Sequence, residues 1–218
     1  FCATCHQFWD DPGVNGKPLQ NTFVEWRASR HAAEGRTCQS CHMPDRAHLW
    51  RGIHDAETVR AAVDVELAAP RVEGRRVHGA LAVHNRGVGH AFPTYVTPRV
   101  FLEVWQEDAD GAALPDTREE LVIGRQVDFS TWTEDFDTRI RPGGTATLAY
   151  DRPLAPGARV LAGRVTVDPD HHYRGVFDRL RTGYTSPEAR ARMEEAWRRT
   201  TQSAYTLTTL RRPLPGAG

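Results

Sequence analysis

Val77-His78-Gly79-Ala80-Leu81-Ala82-Val83-His84-Asn85 places Val77, Leu81 and Val83 on one face. Alternation of period two marks a half-buried strand. Val100, Leu102 and Val104 repeat the pattern in the next run, and further strands are expected at 63–67, 121–129, 145–150 and 160–167. Asp110-Gly111, Pro142-Gly143-Gly144 and Pro156-Gly157 separate these runs as turns. Asp108 with Asp110-Gly111 reads as a hairpin turn, since the run is too short for a calcium loop. Six short strands with no long helical pattern between them predict an antiparallel β-sandwich. Beyond it, Ser186-Pro187-Glu188 is a helix start, with a capping serine, proline at the first helical position and an acid in the first turn. Met193, Trp197 and Thr200 give that helix a packing face, so the chain is expected to close with a docked helix.

The opening of the chain reads differently. All four cysteines and five of the ten histidines lie in the first 55 residues, which hold only Val14, Leu19, Val24, Leu49 and Ile53 as branched aliphatics. A buried aliphatic side chain contributes about 1.5–3 kcal/mol, while ordering the backbone costs about 1–2 kcal/mol per residue. Such a segment cannot fold on its own apolar atoms, so something other than side chains must fill its core. Across all 218 residues, 28 basic and 28 acidic side chains cancel. That balance announces no nucleic-acid surface, and the excess of arginine over the single lysine, Lys17, is given no functional weight. Mean hydropathy is -0.56 and no stretch approaches the ~20 apolar residues of a membrane span.

Cys2-Ala3-Thr4-Cys5-His6 and Cys38-Gln39-Ser40-Cys41-His42 are both CxxCH, the attachment sequence of haem c, and together they use every cysteine. Two thiols three residues apart bond the two vinyl groups, and the next imidazole then lies under the iron. Cys2, Cys5, Cys38 and Cys41 are therefore the expected thioether residues, and His6 and His42 the proximal ligands. A zinc site is the alternative, but Cys5 and Cys38 stand farther apart than such sites prefer, and zinc gives no reason for a histidine after each pair. Disulfides would leave the histidine-rich, aliphatic-poor surroundings unexplained. Two porphyrins would supply the missing apolar bodies.

The second ligand decides the chemistry, because iron with one protein ligand can be a reactive site whereas iron with two is usually an electron carrier. Met43 directly follows His42 and cannot reach the far face of the same haem, so bis-histidine ligation is expected. His31 lies in a helix expected over 22–32. His54 has Gly52 before it and Asp55 after it, the latter able to orient an imidazole. His48 is a ligand or a propionate partner. His78 and His84 read as solvent-facing strand residues, and His171-His172 as a turn or interface feature. His90 stands in Gly87-Val88-Gly89-His90-Ala91-Phe92-Pro93-Thr94, where glycine permits close approach and proline stiffens the loop. It is expected to ligate the haem of His42, with Phe92 against a porphyrin edge. His31 is then paired with the haem of His6, leaving His54 or His48 over.

These residues together, Cys2 to His6, Glu25-Trp26 with Ser29-Arg30-His31-Ala32, Cys38 to Met43-Pro44, His48, Gly52-Ile53-His54-Asp55 and Gly89 to Thr94, resemble bacterial multihaem cytochromes c of the cytochrome c-554-like group, some of which carry a trailing β-domain. The resemblance implies electron transfer through closely packed bis-histidine haems in the periplasm or outside the cell, with redox proteins or further cytochrome subunits as partners. Haem c is attached after export, so a signal sequence or a longer cytochrome is expected ahead of Phe1. Six candidate histidines for two haems favour the longer cytochrome, with a third haem upstream or on a neighbouring chain. The alternative is a multihaem reductase or peroxidase with one open iron, although no surrounding acid and base groups call for one. The expected α+β organisation is a dihaem, irregular to helical, haem-cored segment over 1–57, a β-sandwich over 58–185, and a C-terminal helix and tail over 186–218.

Overall fold

The computed structural model describes residues 1–9, 13–49 and 51–216. Four short helices occupy the opening: α1 (Ala3–His6), α2 (Thr22–Arg27), α3 (Arg30–Ala33) and α4 (Cys38–His42). Helix α5 (Ala56–Ala62) runs directly into β1 (Val63–Leu67). There follow β2 (Arg71–Glu73), β3 (Arg76–Asn85), β4 (Arg99–Glu107), β5 (Glu119–Ile123), β6 (Arg125–Asp128), β7 (Thr133–Asp137), β8 (Thr145–Pro153) and β9 (Val160–Asp168). Helices α6 (His171–Leu180) and α7 (Pro187–Gln202) and strand β10 (Tyr205–Pro213) complete the chain.

All strand pairing is antiparallel. In one sheet β3 is the spine, flanked by β1 and β2 on one side and β8 on the other. The second sheet runs β10-β9-β4-β5, and β6 and β7 form a separate hairpin. The alternation of the quoted stretch places Val77, Leu81 and Val83 in the core, fully buried, with Leu67 from β1 and Leu102, Leu161 and Val165 from the opposite sheet. Two inward glycines set the spacing between the sheets. A Cβ on Gly79 would stand 2.5 Å from Leu161, and one on Gly163 3.3 Å from both Leu67 and Leu81.

Four expectations need correction. The helix over 22–32 is two helices, because Ser29 is extended (φ -90°, ψ 162°) and its hydroxyl donates to the Trp26 carbonyl, a local bond that competes with the helix ladder. The strand over 121–129 is two strands, β5 and β6, that turn at Gly124 into different sheets. The chain does not close on a helix and tail. Helix α7 begins where expected, with Ser186 Oγ accepting from Ala189 N, but β10 then pairs along β9 and buries Leu207 and Leu214. Its Thr-rich run favours a half-buried strand. His171 and His172 open helix α6 rather than a turn. Among the described residues no helix is long and apolar enough to cross a membrane.

Candidate cofactor site

Each CxxCH forms one helical turn, α1 and α4, and Thr37 caps the second by accepting from Ser40 N. That turn brings the cysteines and the histidine of a motif to one side of the chain. A cavity of about 790 Å³ opens between these helices and one end of the sandwich, within the ~300–1,000 Å³ usual for ligand sites. Cys2, Cys38 and Cys41 line it with His6, His31, His42, His48, His54 and His90; Cys5 lies at the exposed edge of α1. Six histidines expected from sequence as ligand candidates therefore face one space. Cys2 of the first motif and Cys38 and Cys41 of the second line the same cavity, and burial first, then the Cys2 thiol, raises the Cys38 thiol pKa. The four cysteines form no disulfide, and among the described residues no three His, Cys, Asp or Glu side chains converge on a point fit for a metal ion.

The His42 and His90 rings are 13° from parallel with centroids 6.2 Å apart. That stacked, near-parallel placement brings one imidazole from α4 and one from the loop after β3 together at the wall of the cavity. His42 Nδ1 lies 2.8 Å from the Arg51 carbonyl and His90 Nδ1 2.9 Å from the Ala91 carbonyl. A carbonyl only accepts, so both rings carry their proton on Nδ1 and keep the Nε2 lone pair for another partner. Burial pushes the His90 pKa down to about 4, outweighing its bond to the Ala91 carbonyl, so the ring is neutral at neutral pH. His6 is lowered by burial first, then by nearby His48 and His42. The Gln20 side-chain amide stands 3.3 Å from its Nδ1.

His31 is buried, 3% exposed, and no hydrogen bond to its ring is found among the described residues. His54 lies at the rim, half exposed, with Nε2 3.1 Å from Asp170 Oδ1. The neighbour expected to orient it does something else: Asp55 caps α5, accepting from Thr58 N at 2.8 Å. His78 and His84 lie away from the cavity beside Asp151 and Thr145. Phe92 lines the cavity but also belongs to the sandwich core, and its backbone pairs with Ile140.

Two residues that hold the His90 loop were not singled out for that role in the sequence. Asn85 is fully buried, donates to the carbonyls of His90 and Ile140, and accepts from Val88 N. The signal was available, since Asn85 has the parity of Val83 and is a polar residue on an apolar face. Glu25 reaches from α2 to accept from Ala91 N at 2.9 Å, which no local pattern announces. The donor set fits haem c: thiols of both motifs at the cavity wall, and two imidazoles held by carbonyls through Nδ1 so that Nε2 is the nitrogen left for a ligand bond.

No protein-family model and no curated protein matches the chain. Among solved structures, a penta-heme cytochrome c552 from Thermochromatium tepidum superposes with a TM-score of 0.67 at 19% identity, covering 97% of this chain and 55% of that one. A Northeast Structural Genomics Consortium target aligns over 71% of this chain and 88% of its own at 10% identity, with a TM-score of 0.30 from which nothing is argued. The chain has a multihaem-cytochrome-like fold and spans little more than half the length of the first of these proteins.

Proposed function

We propose that the chain is the electron-transferring, two-haem part of a multihaem cytochrome c, with haem c joined through Cys2 and Cys5 and through Cys38 and Cys41. His6 and His42 are the proximal ligands, His90 the distal partner of His42, and His31 that of His6. The observation that carries this reading is the near-parallel His42–His90 pair at 6.2 Å, with both Nδ1 atoms held by carbonyls. When bound, haem c supplies a one-electron couple, and two imidazole ligands set a lower potential than a methionine would. The protein's own part is orientation: the Arg51 and Ala91 carbonyls fix ring rotation and tautomer, and burial keeps His90 unprotonated and able to bind.

The β-domain on this reading provides one ligand through the loop after β3 and a surface for redox proteins or further cytochrome subunits. His48 and His54 exceed the need of two haems and are assigned to a third, carried upstream or by a neighbouring chain. His54 would first have to leave Asp170. Because haem c is attached after export, the site of action is the periplasm or the cell exterior. The structural likeness to a penta-heme cytochrome supports this reading.

Intact mass tests the attachment, with two thioether-bound haems expected. Spectra test the ligation. Low-spin iron in both haems supports a carrier, and His90→Ala should turn one of the two high-spin. A high-spin fraction or carbon monoxide binding in the unaltered protein would favour a reductase or peroxidase, and an apo mass with zinc would end the haem reading.

A further inference from the structure

The His90 loop is held by more than its own chain. Glu25 Oε2 accepts the Ala91 amide at 2.9 Å, one residue beyond the imidazole, while Oε1 lies 3.9 Å from Arg139 Nη1. Arg139 donates to the Thr94 carbonyl at the far end of the loop and forks onto Asp137 at 2.8 and 2.9 Å. Thr22, at the start of α2, bonds Thr94 through their hydroxyls at 2.7 Å. Gly89 packs so closely on the α2–α3 turn that a Cβ there would stand 2.9 Å from Trp26, 3.1 Å from Ser29 and 3.3 Å from His31. The helix pair that presents His31 and the loop that presents His90 are therefore one joint, and Glu25 is its charged contact.

We propose that Glu25 is a positioning residue for the second haem ligand, its carboxylate holding the Ala91 amide so that His90 stays opposite His42. The inference rests on the reading of His90 as a ligand. Asn85 fixes the loop by the His90 carbonyl, and Glu25 fixes it by the next amide, so the peptide following the imidazole is held at both of its polar groups. With that peptide pinned, the Ala91 carbonyl stays within reach of the ring's own Nδ1. A carboxylate is the stronger acceptor here, since bonds to charged groups are about twice as strong as neutral ones. The carboxylate is itself partly buried, a cost seen in its raised pKa despite the Ala91 bond and nearby Arg139 and Arg141. A group with no task at this place would be cheaper as an apolar side chain.

The test uses the haem-loaded chain and three variants. His90→Ala first establishes the ligand: if both haems stay low-spin, the ligand reading fails, whatever Glu25 does. If one haem opens, Glu25→Ala should also make one haem high-spin or available to added imidazole, without loss of covalent haem. Glu25→Gln, which keeps an acceptor oxygen, should restore most of the low-spin signal. Exchange of the Ala91 amide gives a second readout independent of the iron. It should be slow in the unaltered protein and accelerate roughly ten- to hundredfold in Glu25→Ala, as expected for loss of a charge-assisted hydrogen bond. A wild-type spectrum in Glu25→Ala, equal opening in Glu25→Ala and Glu25→Gln, or an Ala91 amide that already exchanges as fast as exposed loop amides would each overturn the proposal.

Discussion

The two regions of the molecule differ in that only the second has an extended apolar core of its own, around which it also buries polar groups such as Gln106, Glu107 and Arg125. Among the described residues, every buried member of the main apolar cluster lies at or beyond Val59, and Ile53 alone reaches it from the first 55 as a partly buried neighbour. In those 55 residues Val14 is the one buried aliphatic, whereas Phe1, Phe8, Trp9, Val24 and Leu49 are exposed and Gln7, Ser29 and His31 are buried. The sandwich thus turns its apolar groups inward, while the opening segment buries polar groups and lines a cavity with thiols and imidazoles. The contrast teaches that the first region owes its shape to polar contacts and to whatever occupies that cavity, and the second to the packing of two sheets.

The most severe way to break the contrast is to remove the thiols of one motif. Cys38→Ala with Cys41→Ala should leave residues 1–55 open to protease while β3, β4 and β9 stay protected, because the sandwich core draws nothing from Cys38 or Cys41. Limited proteolysis read by mass would show it. Equal loss in both regions would mean that the sandwich is not independent, and unchanged resistance would mean that the exposed aromatics mislead about the first region. The converse damage is Leu81→Ala, at a fully buried side chain between the sheets. It should cost about 2–5 kcal/mol, seen as a fall in the denaturant midpoint, with the haem spectrum retained until the sandwich unfolds.

How far each region was legible in sequence follows from the same contrast. The period-two runs are local signals, and they locate β1, β3, β4, β8 and β9. Helix α7 is legible for the same reason, since Ser186, Pro187 and Glu188 act on their own turn. What the runs do not carry is pairing. The Thr-rich stretch at 205–213 has strand propensity of its own, but that it lies along the edge of β9 is announced by nothing near it. In the first region the donor types were legible and their partners were not. Asp55 stands beside His54 in sequence yet caps a helix, and Asp170, far along the chain, meets the imidazole instead. Loop contacts such as Glu25 with Ala91 join residues 66 apart, beyond any motif.

A third test separates the polar clamp between the regions from either core. Arg125, fully buried, forks from β6 onto the carbonyls of Val14, Lys17 and Pro18 and pairs with Glu134. Lys17 in turn bonds Glu134 and Asp137. Burial alone would raise the Asp137 carboxyl, but Arg139 and Lys17 together outweigh it and hold it well below the usual range. A carboxylate lowered on folding stabilises the folded state above its unfolded value of about 3.9 and loses that contribution as pH falls further. The amides of Val14 and Lys17 should therefore keep their exchange protection from pH 7 to about pH 4 and lose it progressively as the pH falls below that, while those of β3 and β4 keep theirs. Arg125→Met should give a similar loss at pH 7, by about 1–3 kcal/mol, since it removes a buried guanidinium's bonds to three carbonyls and to Glu134. Protection of these amides that does not weaken at all as the pH falls from about 4 into strong acid would mean that the clamp is held by packing around Val14.

The smallest expected effect lies at the boundary itself. Asp55 is the last residue of the polar region, and the side chain it holds opens the helix that runs into β1. If it acts only as a cap, Asp55→Ala removes one acceptor at the start of α5 and costs about 1 kcal/mol. That loss should appear in the sandwich, because Val59 of α5 is in its core. His54, whose Nε2 faces Asp170 instead, should be untouched, and the haem spectrum with it. The opposite pattern, an altered spectrum with unchanged stability, would return Asp55 to the role its sequence position suggests and move the boundary between the regions one turn later. Asp170→Asn is the matched control, since it weakens the contact His54 does make while leaving the α5 cap in place.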